Sequence, residues 1–485
     1  MQSGNDGIRS ALSGISVLNR YANKLYNPSE TPAPFTDPFE YFVSNRTGRE
    51  GDLLLDGADD IADKGRYSVV AFEPLFIARV GGSRAILKTG GAVTEFEATP
   101  PQVIDYLERT FPSGLFVYLL SYESNRFYED RPAFRNRPPE TDDLWCAFYP
   151  DARIFDSLEK KAFDLLPGER AAKRVHSLKS ASVSGGSDES GYSLSPFSCN
   201  ESRERYMEKI RAVKRYIEEG DVYQANLSRK LEAVFEGNPA SLYAALRKTN
   251  PAAYGAFVDG GDFQLLSMSP EMFFTVSDGA IETRPIKGTA PRDKNRLKDE
   301  LNKKELVSSE KDAAENIMIV DLMRNDLSKI CRPHSVRVER MLECESLPTV
   351  HQLVSTVKGE LYATGKPPLP DALPRVLRAC YPGGSITGAP KIRAMEIIAE
   401  LENTPRGFYC GSLITRGMKG GIDRSITASL LIRTLTVKNG TAVYRTGGGV
   451  TADSDPQKEY EETVHKAAAL SAAVNSPDTR KANAV

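Results

Sequence analysis

Histidine is scarce in this chain, with four in 485 residues and none in a ligand-like cluster, which argues against a His/Cys zinc site. Cysteine is also sparse. The six residues, at 146, 199, 331, 344, 380 and 410, show neither metal-type spacing nor a disulfide framework. They predict a reducing, cytoplasmic setting with mostly buried thiols. The single tryptophan, Trp145, reads as a core residue. A formal net charge of −2 gives no bulk attraction to nucleic acid or to a membrane surface. Long hydrophobic runs are missing too. The longest compact one, LFVYLL at 115–120, suits a buried strand and is far too short for a bilayer. The opening MQSGNDGIRSALSGISVLNR lacks the basic start and apolar stretch of a signal peptide. No internal repeat and no dinucleotide-binding fingerprint is found.

What remains is an ordinary globular composition, 40% hydrophobic and 26% charged. The length suggests two or three structural units. Residues 1–35, polar and proline-punctuated, read as an irregular lead-in. Residues 36–170 alternate strand-like and turn-like segments such as DLLLDG, RYSVVAF and FVYLLSY, and read as a sheet-rich part. Residues 171–199, most markedly 176–199, are rich in Ser and Gly and read as an exposed linker. Residues 200–475 mix helices and strands, and 476–485 form a tail. In the opening of this second unit, Tyr206, Ile210, Val213 and Ile217 recur at helical spacing, so a helix is expected there, stopped by Gly220-Asp221. YQANLSRKLEAVF should follow as a strand. The fold class is α+β.

Four features carry possible chemistry. Asp312 and Glu315 are three apart on one predicted helix, Glu459 and Glu462 on another. Two such pairs, if convergent, make an oxygen-rich cage suited to Mg²⁺, although acidic pairs are more often solvated helix surface. The Gly-rich turn YPGGSITGAPKIRAMEIIAELE offers Ser385, Thr387 and free N–H groups to a carboxylate, or is simply a structural cap. Gly447 to Gly449, after a strand, is a second candidate. Lys287, flanked by Ile286 and Gly288, could lose its proton in an apolar setting and act as a nucleophile, or be an ordinary surface lysine. Glu271, in LSMSPEMFF, could be a buried general acid or a strand-edge charge.

In chain order, GDVYQANL, SPEMFF, RPIKGTAPR, AENIMIVDLMRNDL, VHQLVSTVKGEL, YPGGSITGAPKIRAMEII, GFYCGS, LIRTL and GGGVTADSDPQKEYEET closely resemble the chorismate-utilising enzymes. That family includes anthranilate, aminodeoxychorismate, isochorismate and salicylate synthases. The resemblance is strong over 200–470 and fainter at 53–74 and 115–149. It implies two packed antiparallel sheets surrounded by helices, with chorismate between them. It implies Mg²⁺ near Asp312, Glu315, Glu459 and Glu462, with Asp312 standing where the family often has Glu. Gly288, Thr289, Ser385 and Gly448 would meet the ring carboxylate. Tyr409 and Arg433 would hold the enolpyruvyl carboxylate. The family histidine near LVS corresponds to His351 or to the Gln352 position. The water-adding enzymes have a lysine where this chain has Gln224, and anthranilate synthases usually have Ala where it has Lys287. These two positions imply the aminodeoxychorismate-forming branch, on the route to p-aminobenzoate and folate, with Lys287 as covalent nucleophile and Glu271 as general acid. No cysteine stands in a Gly-x-Cys-x-Gly elbow, so the resemblance implies a separate glutamine amidotransferase subunit as the source of ammonia. An anthranilate synthase large subunit and a non-catalytic chorismate-binding regulatory subunit are the competing readings.

Overall fold

The computed structural model describes residues 29–57, 65–111, 114–129, 131, 134, 140–166, 191–347, 350–362, 370–417 and 425–474. Among these, two sheets of 13 and 12 strands carry the chain. The pairings that build them are antiparallel. They stack face to face, and strand alternation explains why so many strands read as unbroken hydrophobic runs. In Leu115–Leu120, the residues Leu115, Val117 and Leu119 enter the layer between the sheets, together with Trp145, Leu53, Leu55 and Ile154. Phe116, Tyr118 and Leu120 point the other way, into a cluster that also takes Ile104 and Leu107 of the helix Pro100–Thr110 and Val376 and Leu377 of the helix Ala372–Cys380. On the outer face of the first sheet, Leu54 and Val70 meet Phe42 of the helix Pro38–Asn45 and Leu242 and Tyr243 of Pro239–Thr249. Both faces of each sheet are thus covered over much of their area.

The expected α+β architecture is present, but the boundaries read from sequence need correction. The strand Leu53–Asp56 pairs with Tyr254–Asp259, and Leu115–Leu120 pairs with Ser412–Arg416. The stretches 36–170 and 200–475 therefore share both sheets and are not separate bodies. Part of the proposed lead-in, Ser29–Ala33, is a strand paired with Lys161–Leu166. It lies at a sheet edge, where Pro32 removes no ladder bond that the sheet needs. The linker is shorter than expected: Tyr192–Leu194 and Ser198–Cys199 pair with the long strand Gln224–Gly237. Buried Tyr192 and Leu194 anchor a segment whose serine content suggested exposure. Residues 1–28, the linker up to 190 and the tail 476–485 lie outside the described residues.

The helix Arg203–Glu218 forms as expected, with the Ser202 hydroxyl accepting from Arg205 N (3.2 Å) and Tyr206, Ile210 and Val213 buried. The six cysteines are free, four of them buried and Cys199 and Cys344 partly so. No helix among the described residues is long and apolar enough to cross a membrane.

One buried charge network ties the elements around the sheet ends. Glu402, which caps the helix Lys391–Leu401, accepts from Arg406 (2.7 and 3.0 Å), Arg445 (3.2 Å) and the N–H and hydroxyl of Ser228 (2.7 and 2.9 Å). Burial alone would raise the Glu402 carboxyl, but the two guanidinium groups and the Ser228 N–H outweigh it and hold the pKa at about 2. A folded pKa below the unfolded value adds stability that is complete above the ordinary carboxylate range and is lost as pH falls toward 2. Glu402→Gln should destabilise the protein by about 3 kcal/mol at neutral pH, as expected for a broken buried pair. In urea titrations the gap to wild type should shrink between about pH 5 and pH 2, because the carboxyl takes up its proton in the unfolded chain before it does so in the fold. A gap independent of pH would show that Glu402 is not ionised in the fold.

Candidate active site

The strand Gln264–Ser269 of the first sheet runs into Met272–Ser277 of the second through Pro270 and Glu271. Nearby the chain crosses back, from Ile426–Leu430 to Thr434–Lys438 through Leu431 and Arg433. The crossings hold each other. Leu430 N donates to Glu271 O (3.1 Å), the Ser269 hydroxyl to Leu430 O (2.5 Å) and Met268 N to Arg433 O (3.1 Å). The segment after Tyr409 joins them, with Cys410 N donating to Leu431 O (2.9 Å) and Leu431 N to Gly411 O (3.0 Å). Glu271, Tyr409 and Arg433 therefore all lie on segments that meet at the seam between the sheets.

Lys287 reaches this seam by register. Thr275 pairs with Glu282, so continuing that hairpin sets Glu271 beside Ile286, whose N–H bonds the Glu271 carboxyl. Lys287 is the next residue, on the strand Ile286–Pro291. Its Nζ donates to the carbonyl of Ser385 (3.3 Å), and the Ser385 hydroxyl bonds the Glu271 carboxyl. The turn Gly384–Ile386 thus touches nucleophile candidate and acid candidate at once. Burial is the largest influence on both groups and acts with opposite sign. It raises the pKa of Glu271, which is 6% exposed, against the opposing pull of Ser385 and Lys287. It lowers that of Lys287, against the attraction of Glu315, Glu271 and Glu462. Lys287 keeps some solvent contact as a residue, although its ammonium is closely surrounded.

The carboxylates stand alongside. Glu315 is raised first by burial and also by Asp312 and Glu459, while Lys287 and Lys311 oppose the shift. Burial would raise Glu462, but Lys466, Lys311 and Lys287 hold it below its ordinary value. Lys311 lies 3.6 Å from Glu459 and 3.9 Å from Glu315, and Lys466 lies 2.5 Å from Glu462. Among the described residues no three acidic, His or Cys groups are gathered closely enough to hold a metal. The donor set is nevertheless all oxygen and partly buried, and the mutual repulsion of Glu315, Asp312 and Glu459 is charge that a hard divalent cation would relieve.

Glycines allow the close packing here. Gly288 has φ +82°, and a Cβ there would lie 2.9 Å from Asp312 Cγ, so the Asp312 side chain rests against this backbone. A Cβ on buried Gly448 would lie 3.3 Å from Glu459 Oε2 and 3.7 Å from Glu462 Oε1. Gly447 to Gly449 lie within the strand Thr441–Val450 and do not follow it as expected. Thr289 is exposed. Arg433 is exposed, at φ +51°, and no ion pair to it is found among the described residues, while Tyr409 is buried. Gln224 is buried at the start of Gln224–Gly237.

One reading changes, and one residue whose role was left open gains a structural setting. Thr387 is occupied within its own turn, its hydroxyl donating to Gly383 O (2.9 Å), so it is not free for a ligand. His351 is held by Ser346 Oγ (2.8 Å) and Asp299 Oδ1 (3.1 Å), an arrangement that braces the helix Arg296–Val307. Lys311 and Lys466 were not singled out from sequence. Lys466 was within reach, because it follows Glu462 by one helical turn on the face that carries Glu459. Three cavities of about 600 Å³ lie apart from these side chains. One is a charged groove between Arg203–Glu218 and Lys391–Leu401, the second a cleft bordered by Asp56, Tyr254, Met272 and Arg284, and the third a pocket beside Phe39, Tyr243 and Arg247.

Comparison with known proteins agrees with this geometry. The family described as chorismate binding enzyme matches residues 77–472. Aminodeoxychorismate synthase component 1 of Klebsiella aerogenes is 35% identical over 458 residues, covering 91% of this chain and 98% of the relative. Anthranilate synthase component 1 of Aquifex aeolicus is 32% identical over 490 residues, covering 96% and 97%. The crystal structure of anthranilate synthase component I from Streptococcus pneumoniae superposes with a TM-score of 0.70 at 28% identity, over 84% of this chain and 92% of that one. With two antiparallel sheets meeting at a seam of acid, lysine and carboxylates, and with these likenesses, the chain belongs to the chorismate-binding enzyme family.

Proposed function

We propose that this chain converts chorismate and ammonia to 4-amino-4-deoxychorismate, as the chorismate-binding subunit of an aminodeoxychorismate synthase in the cytoplasm, on the way to p-aminobenzoate and folate. The observation that carries the reading is the Lys287–Ser385–Glu271 arrangement, in which burial favours a neutral amine and a protonated carboxyl side by side. The Lys287 amine attacks carbon 2 of chorismate. The ring double bonds shift, the bond from carbon 4 to its hydroxyl breaks, and Glu271 gives its proton to the departing oxygen, which leaves as water. Ammonia then attacks carbon 4, the double bonds shift back and the lysine leaves carbon 2. One difficult displacement of hydroxide becomes two easier steps.

Glu315, Glu459 and Glu462, with Asp312 beside Gly288, are the groups that would hold Mg²⁺. A bound divalent cation there would supply charge neutralisation for the ring carboxylate. Gly288, Thr289, Ser385 and Gly448 would line that carboxylate. Arg433 would meet the second carboxylate as a two-pronged donor, beside Tyr409. The name of these relatives, component 1, supports a partner subunit, here a glutamine amidotransferase that delivers ammonia. The likeness to anthranilate synthases at similar identity keeps amination at carbon 2 with loss of pyruvate as a second reading.

The deciding assay incubates the purified chain with chorismate, Mg²⁺ and an ammonium salt and identifies the product by mass spectrometry. The expected product carries an amine and retains the enolpyruvyl group, and chelation with EDTA should abolish its formation. Anthranilate with released pyruvate would assign the second reading instead. Glu271→Gln should slow turnover by about 10²–10⁴-fold, the range for a lost general acid. Lys287→Ala should sharply reduce amination while chorismate still binds by calorimetry. Full activity in that variant would remove the covalent step.

A further inference from the structure

Lys391 opens the helix Lys391–Leu401 and is only 9% exposed. The place is unfavourable for it. An ammonium in the first turn opposes the helix dipole, and a buried one also loses its hydration. Its partners offset this. The Nζ donates to the carboxylate of Asp326 and to the carbonyl of Cys380 (2.8 Å). Cys380 ends the helix Ala372–Cys380, so this one ammonium bridges the two ends of the Gly-rich segment 381–390. Asp326, 2% exposed, lies near the end of the helix Glu310–Ser328, whose beginning carries Asp312 and Glu315. A second cation, Lys329, meets the same carboxylate (2.9 Å). Inside the segment, the backbone is tied to the start of the strand Gln224–Gly237. Asn226 N donates to Thr387 O (2.8 Å) and Tyr223 N to Ala389 O (2.7 Å). Toward the helix Glu310–Ser328 the segment rests on apolar atoms, close enough that a Cβ on Gly384 would lie 2.6 Å from Leu322 and Met323. Apolar contacts can slide, whereas a buried charged hydrogen bond cannot shift without leaving a charge unpaired. Ser385, the next residue after Gly384, touches both Lys287 and Glu271.

We propose that Lys391 and Asp326 are positioning residues for the amination proposed above, on which the inference rests. Their ion pair closes the base of the segment 381–390 and pins it to the helix of Asp312 and Glu315. Ser385 is thereby held in register with Lys287, with Glu271 and with the acidic wall at once. Among the described residues neither side chain bonds Lys287 or Glu271, so the effect passes through the backbone of the segment. Position and stability can be separated here. A buried ion pair replaced by apolar residues of similar volume often leaves stability unchanged or raised, while its directional hold is lost.

The test compares the full wild-type chain with the double variant Asp326→Leu, Lys391→Met, using ammonium chloride as the nitrogen source. The double variant leaves no member of the pair as a lone buried charge, so its thermal midpoint should stay within a few degrees of wild type. If it does not fold, Lys391→Met alone takes its place, because Lys329 still faces Asp326. The kcat/KM for chorismate should fall about 10²-fold, the cost of a misplacement of about 1 Å. The limb of its pH profile that Glu271→Gln removes should move to higher pH. Burial raises the Glu271 carboxyl, and the Ser385 hydroxyl leads the groups that oppose it, ahead of Lys287, the Ile286 N–H and Lys466. Chorismate affinity, read by calorimetry with Mg²⁺ and so without turnover, should weaken about ten-fold, the worth of one hydrogen bond to a charged group. A folded variant with wild-type kcat/KM and affinity overturns the proposal and leaves the pair a structural brace. A loss of rate with the pH limb unmoved also overturns it, since Ser385 would then still be in place. If wild type forms no aminated product, the amination fails, and calorimetry still decides the pair: weakened affinity upholds the positioning role and unchanged affinity overturns it.

Discussion

The seam between the sheets depends on one buried carboxylate. Glu402 is fixed by two arginines and a serine, and through them it reaches the Gly-rich turn, the start of the strand Gln224–Gly237 and the strand Thr441–Val450. Arg406 passes the constraint on: its guanidinium donates to the carbonyls of Ile386, one residue past Ser385, and of Asn226 (3.1 and 2.7 Å). The backbone N–H groups of Arg406 and Gly407 are held by Glu123 (2.7 and 2.9 Å), which fixes the approach to Tyr409. Arg445 anchors the strand that continues to Gly448, bonding Pro405 O (2.9 Å) as well as Glu402. Buried ions carry a desolvation cost that apolar packing avoids, so what such a network adds is the directional geometry of its hydrogen bonds more than net stability. Here that geometry is the relative placement of a turn, a strand and a loop that the sheets alone would leave adjustable.

Within that frame, a single physical effect acts on both Lys287 and Glu271. Removing water disfavours charge, which shifts Lys287 toward its neutral amine and Glu271 toward its protonated form. Further out the balance reverses. Lys311 and Lys466 stand among Glu315, Glu459 and Glu462, so the acidic wall is partly neutralised by the chain's own cations. Any added cation has to compete with these tethered ammonium groups.

Much of this was legible from sequence where the information is local. The face of the helix Arg203–Glu218 follows from Tyr206, Ile210 and Val213 alone, and the two carboxylate pairs follow from helical spacing. The shifts of Lys287 and Glu271 were anticipated from their apolar neighbours. What was hidden depends on distant partners. Nothing near Ser198 shows that it will pair with Glu232, and nothing near Leu53 shows that its neighbour will be Val258. Glu402, Arg406 and Arg445 look like surface charges until the fold buries them together. Thr387 illustrates the opposite error, a residue type suited to ligand binding but already engaged by its own turn.

The interleaving of the two halves has a consequence for how the chain is made. Leu53 meets its partner Val258 after 258 − 53 = 205 further residues, and Leu120 meets Ser412 after 412 − 120 = 292. At ribosomal speeds of about 5–20 residues per second, those strands wait roughly 10–60 s for the segments that complete their ladders. During that interval the apolar edges of Leu53–Asp56 and Leu115–Leu120 are open to wrong partners, because an unpaired edge is a template for any passing strand. A protein woven in this way makes its heaviest demand on chaperones before its last strands have left the ribosome. For the same reason, expressing its first 170 residues alone would yield an aggregating fragment, not a small domain.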